Sequence, residues 1–425
     1  MNSASTSSTS ISESASANRL RVLIVAPSLD ILGGQAVQAA QLLARLREEP
    51  SLDVSFLPVN PRLPGLLRKL QAIKYVRTVV TSLLYWGLLL ARVRTYDVIH
   101  IFSASYLSFV LAPTPAILIA RLYGKKIILN YRSGEAEDHL RRWHRTAIRT
   151  LRLADEIVVP SAYLVDVFGK FKLAASAIHN FVDTDRFKYR ERVPLRPVFL
   201  SNRNLEPMYN VGCVVRSFSI IQQRYPDARL TIAGDGSERA RLQNLAGELE
   251  LRNIEFIGRV GPEKMHELVS AACIYLNGSE IDNMPGSIIE AFASGLPVVT
   301  TNAGGIPYIV RNERTGLMVR CGDHAAMAAA ALRLLEDSAL ASRLSTNARE
   351  ECKKYEWPAV KNEWINLYHD LAGRRSNEAT GRSSSDKEFI RSRVHELESE
   401  TENSDLQKLR KTLRSSRRTT QMSTK

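Results

Sequence analysis

The sequence predicts an α/β protein made of two successive domains, each with a doubly wound parallel sheet. Short apolar runs of strand length alternate with amphipathic segments of helix length, over residues 19–182 and again over residues 197–354. Buried parallel strands are continuous apolar runs, and their alternation with helices is typical of βαβ units. The length of 425 residues is enough for two such domains, each with its own core.

The first domain is predicted from five apolar runs. The first run, residues 21–26, is followed by a loop with Gly33 and Gly34 and then by an amphipathic segment, residues 35–46. This order is a weak dinucleotide-binding signal, because the full G-x-G-x-x-G spacing is absent, and a simple turn is the alternative. The further strands of this domain are predicted at residues 53–57, 98–102, 126–130 and 156–159.

The second domain follows a linker over residues 181–196. Its strands are predicted at residues 198–201, 229–233, 254–257, 274–276 and 298–301, and two of its helices at residues 213–223 and 239–250. We therefore expect two Rossmann-like domains whose sheets face a common cleft with their carboxyl ends. Residues 355–372 carry aromatic side chains at helical spacing, which predicts a helix, and packing on the domain before it is one of two interpretations.

The two ends of the chain have the composition of disordered segments. Residues 1–18 are rich in serine and alanine and have no basic residue and no apolar core, so we expect a disordered leader rather than a signal peptide. Residues 373–425 combine serine and charge with few large apolar residues, so we expect a disordered basic tail with a helical stretch over 386–397.

Composition also bears on the cellular compartment. The four cysteines are scattered without a C-x-x-C pair, which argues against a disulfide framework and a structural zinc site and fits a reducing cytosol. The longest uncharged apolar run, residues 78–91, is shorter than the roughly 20 residues that cross a bilayer. Residues 65–94 mix apolar and basic side chains as an interfacial amphipathic helix would, and a pair of core-packed helices is the alternative.

Residues 282–307, DNMPGSIIEAFASGLPVVTTNAGGIP, are the most informative stretch. Asp282 lies in a polar loop, and Gly286 and Ser287 begin a predicted helix whose free N–H groups can meet phosphate. Glu290 follows in the first turn, so two carboxylates flank a helix start, an arrangement that suits a bound sugar nucleotide. Ser287 and Glu290 also fit a capping box, but this structural alternative leaves the acidic loop and the glycine-rich turn at 302–307 unexplained.

This stretch resembles the donor-binding signature of the family-four retaining glycosyltransferases, in which two acidic residues bracket a nucleotide sugar. The resemblance implies the glycosyltransferase-B fold over about residues 19–371 and a last helix that returns to the N-terminal domain. It also implies that Asp282, a glutamate in most members, contacts the donor sugar, and that Glu290 contacts the ribose. Further donor contacts are expected from Asn283, Met284, Gly286 and Ser287.

The resemblance extends to turns elsewhere in the chain. Arg203 matches the arginine that neutralises the leaving diphosphate in the family, whereas the family's lysine five residues later falls on Met208. Other turns line the donor pocket in the family, although each also fits an ordinary strand-to-helix turn. In this sequence they place donor contacts at Gly33, Gly34, Gly234 and Arg259.

Arg132 follows a predicted strand at a position where many members of the family carry a histidine near the sugar. An arginine can bind phosphate with two N–H groups but cannot shuttle a proton at neutral pH. We therefore expect Arg132 to contact the diphosphate or the acceptor, and a surface salt bridge is the alternative.

The sequence thus predicts a retaining glycosyltransferase that moves a sugar from a nucleoside-diphosphate sugar to a hydroxyl of a glycan or lipid-linked acceptor. Asp282 and Arg203 are its expected catalytic residues. No cofactor and no metal is expected, because the acidic residues and histidines form no ligand pattern. The alternatives are a non-catalytic nucleotide-sugar-binding scaffold and a nucleotide-sugar epimerase.

The expected location is the cytoplasm, with a peripheral contact to anionic membrane at its inner face. The net charge of +14 includes seven basic residues and no acid over residues 62–94. Anionic lipids attract such segments. No nucleic-acid partner is expected, because the chain lacks an aromatic-basic recognition motif.

Overall fold

Two six-stranded parallel sheets run through the part of the chain that the computed structural model describes, residues 19–29, 34–62, 74–103, 105–192 and 194–373. The first sheet contains β1 (Leu20–Ala26), β2 (Leu52–Pro58), β3 (Val98–Ser103), β4 (Lys126–Tyr131), β5 (Glu156–Val159) and β6 (Ser176–Ala177). The second sheet contains β7 (Val198–Ser201), β8 (Arg229–Ala233), β9 (Ile254–Gly258), β10 (Ile274–Asn277), β11 (Val298–Thr301) and β12 (Leu317–Val319).

The predicted α/β fold class is confirmed, and the ten predicted strands lie within one residue of the observed ends. The two additional strands, β6 and β12, have only two and three residues, too few for an apolar pattern. The predicted leader, the tail beyond Gly373 with its helical stretch at 386–397, and Gly33 lie outside the described residues.

The order of the strands creates one reversal in each sheet. The first sheet has the order β2-β1-β3-β4-β5-β6, and the second has the order β12-β11-β10-β7-β8-β9. The chain therefore changes direction between β1 and β3 in the first sheet and between β7 and β10 in the second. Loops on the two sides of such a point diverge and leave a crevice beyond the carboxyl ends of the strands.

Helices cover both faces of each sheet because side chains alternate along the buried strands. In β1, for example, Leu23 and Val25 join one apolar cluster, and Val22 and Ile24 join another on the opposite face. The helices are Gly34–Arg47, Lys74–Arg92, Tyr106–Leu111, Pro113–Leu122, Ala136–Arg142, His144–Leu151, Ala162–Lys170, Val211–Arg224, Arg239–Glu248, Pro262–Ala271, Gly286–Ala293, His324–Glu336, Ser338–Cys352 and Trp357–Leu371.

The last helix, Trp357–Leu371, packs against the first sheet although it follows the second in the chain. Trp364 and Tyr368 are buried in the same cluster as Val22. The Tyr368 hydroxyl is 2.7 Å from Nδ1 of His100, a buried residue of β3. Burial lowers the pKa of His100 to about 3, so this imidazole is neutral at physiological pH. The packing of this helix on the first sheet therefore connects the end of the described chain to its beginning.

The apolar run at residues 78–91 belongs to a longer helix, Lys74–Arg92. By length and composition alone, Val76–Thr95 is long and apolar enough to cross a membrane. Only 17% of an apolar stretch of 18 residues within it is buried. The uncharged run underestimates the length of the apolar helix, because the helix continues through basic residues at both ends of the run. Core helices of soluble proteins can have the same length and composition, so the helix alone does not identify a membrane span.

Candidate active site

The loops after β7 and β10 meet at the reversal of the second sheet. Arg203 lies in the first loop and Asp282 in the second, 79 positions later, and their side chains form an ion pair. Both side chains are buried, with exposed fractions of 13% and 9%. Burial is the largest single influence on the pKa of Arg203 and lowers it, but the charges of Asp282, Tyr209 and Tyr275 and the hydrogen bond to Asp282 together raise this pKa above its ordinary value. The sequence predicted both residues but not their direct contact.

The guanidinium of Arg203 has two further neighbours. It lies 4.3 Å from the ring centroid of Tyr209, and its Nη1 donates to the hydroxyl of Ser287 at 3.4 Å. Its Nε is buried without a hydrogen-bond partner. An unpaired buried donor on a charged group costs free energy, so this N–H is available to an anionic ligand.

The helix Gly286–Ala293 begins beside this ion pair, and Pro285 occupies its N-cap position without a side-chain cap. The capping-box interpretation of Ser287 is wrong. The Ser287 hydroxyl instead accepts a hydrogen bond from the hydroxyl of Tyr275 at 2.8 Å, in addition to that from Arg203. The first N–H groups of this helix therefore keep their capacity to bind an anion.

Glu290 is the fifth residue of the same helix and is partly exposed. Burial raises the pKa of its carboxyl to about 7, although the charges of Arg203 and Arg186 act in the opposite direction. The side chain makes no hydrogen bond or ion pair within the described residues. A carboxylate with free acceptor oxygens at this place can bind hydroxyl groups of a ligand.

The glycine-rich turn after β11, residues 302–307, packs against the backbone of the loop that carries Asp282 and Asn283, called here the signature loop. The N–H of Gly305 donates to the carbonyl oxygen of Asp282 at 2.9 Å. A Cβ atom on Gly304 would lie 2.2 Å from that oxygen, and one on Gly305 would lie 2.0 Å from the carbonyl oxygen of Asn283. Gly304 also has a φ of +47°, which favours glycine. Sequence analysis noted this turn but did not assign its role.

Gly234 has a similar supporting position behind the loop of Arg203. A Cβ atom on Gly234 would lie 2.1 Å from the carbonyl oxygen of Arg203, so the turn after β8 packs directly against that backbone. Arg259, at the end of the edge strand β9, is exposed and has no hydrogen bond or ion pair with any residue that the structure describes. The structure therefore brings Gly234, but not the side chain of Arg259, into contact with the cluster around Arg203.

The first sheet approaches the same loop through residues 130–135. The side-chain amide of Asn283 donates to the carbonyl oxygen of Arg132 at 2.8 Å. The guanidinium of Arg132 donates to Oδ1 of Asn180 and to Oδ1 of Asn130, and Asn180 donates to the carbonyl oxygen of Met284 at 3.1 Å. The salt-bridge interpretation of Arg132 is therefore wrong, because its partners are side-chain amides. Burial lowers the pKa of Arg132 to about 10, so it remains cationic at neutral pH.

Two further positions considered in the sequence, Gly34 and Met208, have surroundings that differ from those of Arg203 and Asp282. Gly34 begins the helix Gly34–Arg47 and is exposed, with no atom within 4 Å of where a Cβ would be. At Met208 the backbone carbonyl accepts hydrogen bonds from the N–H groups of Glu280 and Ile281 at 2.9 and 3.3 Å. Met208 thus helps to hold the signature loop but supplies no positive charge.

The described residues therefore bring together a guanidinium, an uncapped helix start and two carboxylates, Asp282 and Glu290. The first two can bind a diphosphate and the last two can bind sugar hydroxyls. No local pattern in the sequence marks Tyr275, Asn180 and Tyr209, which hold these groups, so they were not predicted. Within the part of the chain that is described, there is no group of three or more His, Cys, Asp or Glu side chains that could hold a metal ion.

Residues 183–351 match the family model of the glycosyl transferases group 1. A glycogen synthase of Mycobacterium tuberculosis is 27% identical over 277 residues, which are 61% of this chain and 66% of that protein. A sulfoquinovosyl transferase of Arabidopsis thaliana is 27% identical over 303 residues, 65% of this chain and 57% of that protein. The matches thus span just under two thirds of the first relative and little more than half of the second.

Solved structures share the arrangement of the two sheets. Anabaena HepE, solved in complex with UDP-glucose, has a TM-score of 0.66 and 15% identity over 83% of this chain and 100% of its own. Sucrose-phosphate synthase of Thermosynechococcus elongatus has a TM-score of 0.63 and 18% identity over 84% of this chain and 100% of its own. At such identities the likeness concerns the fold. The likeness shows the glycosyltransferase-B fold, and the family match over residues 183–351 supports a group 1 glycosyltransferase.

Proposed function

We propose that the protein transfers a sugar from a nucleoside-diphosphate sugar to an acceptor hydroxyl, with retention of the anomeric configuration. The observation that carries this proposal is the buried pair of Arg203 and Asp282 at the uncapped start of the helix Gly286–Ala293. A positive group and free N–H groups suit a diphosphate, and the adjacent carboxylate suits the sugar attached to it.

Each group has a distinct role in this proposal. The diphosphate binds the N–H groups at the helix start and the guanidinium of Arg203, where negative charge develops as the sugar departs. Asp282 accepts hydrogen bonds from the donor sugar, and Glu290 accepts them from the ribose. Arg132, held between the two sheets, supplies a second positive charge at the cleft. No cofactor and no metal takes part.

Two alternatives remain as outcomes of the test. Met208 lacks the charge of the family's lysine, which favours a scaffold that binds a nucleotide sugar without turnover. An epimerase of the same architecture would convert the donor without an acceptor. The unpaired Nε of Arg203 and the free carboxylate of Glu290 favour the transferase, because both are arranged to receive a ligand rather than to complete a packed core.

The first test is the thermal stability of the full chain with UDP-, GDP- and ADP-sugars. A donor at about a hundred times its dissociation constant adds roughly 2.7 kcal/mol to the free energy of unfolding, which raises Tm by a few degrees. We expect one nucleotide class to do so, with UDP-glucose tested first because it was bound in Anabaena HepE. Slow release of nucleoside diphosphate identifies a transferase. Stabilisation without turnover identifies a scaffold, and conversion of the donor to a nucleotide with a different sugar identifies an epimerase.

We also propose that the protein binds peripherally to anionic membrane at the cytoplasmic face, where a lipid-linked acceptor would be presented. Of 14 large apolar side chains that are exposed in the described residues, ten lie between residues 76 and 123. On the helix Lys74–Arg92 they form a stripe at spacings of three and four residues, Val76, Val79, Leu83, Trp86 and Leu90.

The opposite face of this helix buries Tyr85 and Leu89 in the first core, so the core-packed interpretation accounts for only one face. The helix also contacts Pro113–Leu122, where Leu118 and Leu122 are 51% and 74% exposed, so the apolar surface is broad. Arg77 and Arg94 are exposed at its two ends. An apolar face with Trp and flanking basic residues is typical of interfacial helices on anionic lipid.

The double variant Leu83→Glu/Trp86→Glu is expected to weaken binding to vesicles of phosphatidylcholine and phosphatidylglycerol by about tenfold or more, because two apolar anchors are lost and charge is introduced. Co-sedimentation of the full chain measures this. The double variant Gln223→Glu/Gln243→Glu places the same charge on exposed helix positions of the second sheet and should bind like wild type. Equal loss in both variants would indicate attraction by net charge alone and contradict the proposed surface.

A further inference from the structure

Glu135 presents a third carboxylate where the two sheets meet. It ends the loop after β4, a strand next to β3 at the centre of the first sheet. One residue earlier, a Cβ atom on Gly134 would lie 3.6 Å from the Cα of Asp282. The loop of Glu135 therefore packs directly on the loop that carries the proposed sugar-binding carboxylate.

The carboxylate of Glu135 has no structural partner in the described residues. Its backbone N–H donates to the Ser133 hydroxyl at 3.2 Å, and it occupies the N-cap position of the helix Ala136–Arg142 without a side-chain cap. By contrast, Glu137 in the same helix forms ion pairs with Arg141 at 3.0 Å and Lys170 at 3.1 Å. Ion pairing therefore explains Glu137, whereas neither helix capping nor ion pairing explains Glu135.

The negative charge of Glu135 acts on tyrosines of both sheets. Burial is the main cause of the raised pKa of Tyr106, Tyr131 and Tyr209, and the negative charge of Glu135 contributes in all three. Tyr209 is also the ring that lies 4.3 Å from the guanidinium of Arg203. The charge of Glu135 thus acts on the ring that contacts the ion pair at the donor site, although Glu135 belongs to the opposite sheet.

Hydrogen bonds connect the side chains of the residues near Glu135. The Ser105 and Tyr131 hydroxyls are 2.9 Å apart, and the Tyr131 hydroxyl is 2.8 Å from Nδ1 of His139. Tyr106 has a φ of 56°, which is unfavourable for a bulky residue, and its hydroxyl donates to Asp138. Such strain persists where the surrounding contacts determine it and is concentrated at functional sites.

We propose that Glu135 binds the acceptor, because its carboxylate is free and partly exposed and its loop packs on the loop of Asp282. This inference rests on the proposed transferase function and adds the group that orients the attacking oxygen. The attacking oxygen bonds to C1 of the donor sugar, the C1–O bond to the diphosphate breaks with its electron pair, and the attacking hydroxyl's proton passes to the leaving diphosphate. Glu135 accepts a hydrogen bond from an O–H group that the acceptor keeps. In a glycan this is a second hydroxyl, and in water it is the O–H bond that does not break.

Donor hydrolysis tests this without a known glycan acceptor, since water then takes the acceptor's place. With the donor that stabilises the full chain, Glu135→Ala is expected to lower the rate of nucleoside diphosphate release on the order of 10- to 100-fold. The donor Kd and Tm should not change, because the side chain touches neither the donor nor a structural partner. Sodium formate should restore part of the rate in Glu135→Ala, which a merely structural residue would not show, and sodium chloride at equal ionic strength should not.

The matched control is Glu137→Ala, two residues later on the same helix, which should hydrolyse the donor at the wild-type rate. Hydrolysis by Glu135→Ala at the wild-type rate would overturn the assignment, as would an equal loss of donor affinity. Failure of every donor to bind the wild-type protein is a separate result, because it rejects the transferase function itself.

Discussion

Arg203→Met is expected to lower the free energy of unfolding by about 3–5 kcal/mol, because it leaves the carboxylate of Asp282 buried without its partner. It should also lower donor turnover by about 10²–10³-fold, since a cation at the developing charge of the leaving group is lost. Chemical denaturation measures the first effect and nucleoside diphosphate release the second. Arg216→Met, an exposed change on the helix Val211–Arg224, is the control and should alter stability by no more than about 0.5 kcal/mol.

A second substitution separates the two effects. In Arg203→Met/Asp282→Asn the uncompensated charge is gone, so most of the lost stability should return, while turnover should stay low. The two residues touch, so their effects on stability should be far from additive. If Arg203→Met unfolds like wild type, the pair is not the buried contact seen here. If the double variant regains turnover, Arg203 does not act on the diphosphate.

Glu290→Gln is expected to stabilise the protein at pH 8 by up to about 3 kcal/mol and to weaken donor binding at the same time. Burial raises the pKa of this carboxyl from 4.5 to about 7, so between these values the folded protein keeps a proton that the unfolded chain has lost. The stability of the wild type therefore falls as pH rises from about 4.5 to about 7, and this contribution vanishes in the glutamine variant. Denaturation of both proteins at pH 5 and pH 8 measures the difference.

The same ionisation should control donor affinity. Because the carboxylate is the stronger acceptor for ribose hydroxyls, donor Kd in the wild type should rise by up to about tenfold per pH unit below 7, and in Glu290→Gln it should be weak and insensitive to pH. Titration calorimetry at pH 6, 7 and 8 follows this. Glu248→Gln, an exposed change at the end of the helix Arg239–Glu248, is the control. An unchanged pH profile in Glu290→Gln would show that another group titrates.

Local patterns were sufficient for the strands because a strand of a doubly wound sheet is buried on both faces. Such a strand is buried along its whole length and largely apolar, as in β10 and β11, so an apolar run marks its place in the chain. The donor signature could be found for a similar reason, since Asp282, Gly286, Ser287 and Glu290 lie within nine consecutive residues. Short strands such as β6 carry no such signal.

Contacts between distant residues could not be predicted in this way. Ser287 and Glu290 have the spacing of a capping box, yet Tyr275 and Arg203 hold the Ser287 hydroxyl because the fold places them beside it. Arg132 likewise contacts side-chain amides rather than an acidic surface partner. In both cases the local pattern allowed two structures, and a residue far away in the chain determined which one forms.

By itself, the sequence determined the fold class, the positions of the strands and the residues of a donor-type signature, because these depend on burial and on spacing along one segment. Only the tertiary structure decided that Arg203 pairs with Asp282, that Gly304 and Gly234 support the two loops, and that Glu135 reaches the signature from the opposite sheet. Those contacts follow from the neighbouring positions of β7 and β10 and from the contact between loops of the two sheets. Strand order is set by packing over the whole chain, and apolar periodicity carries no record of it.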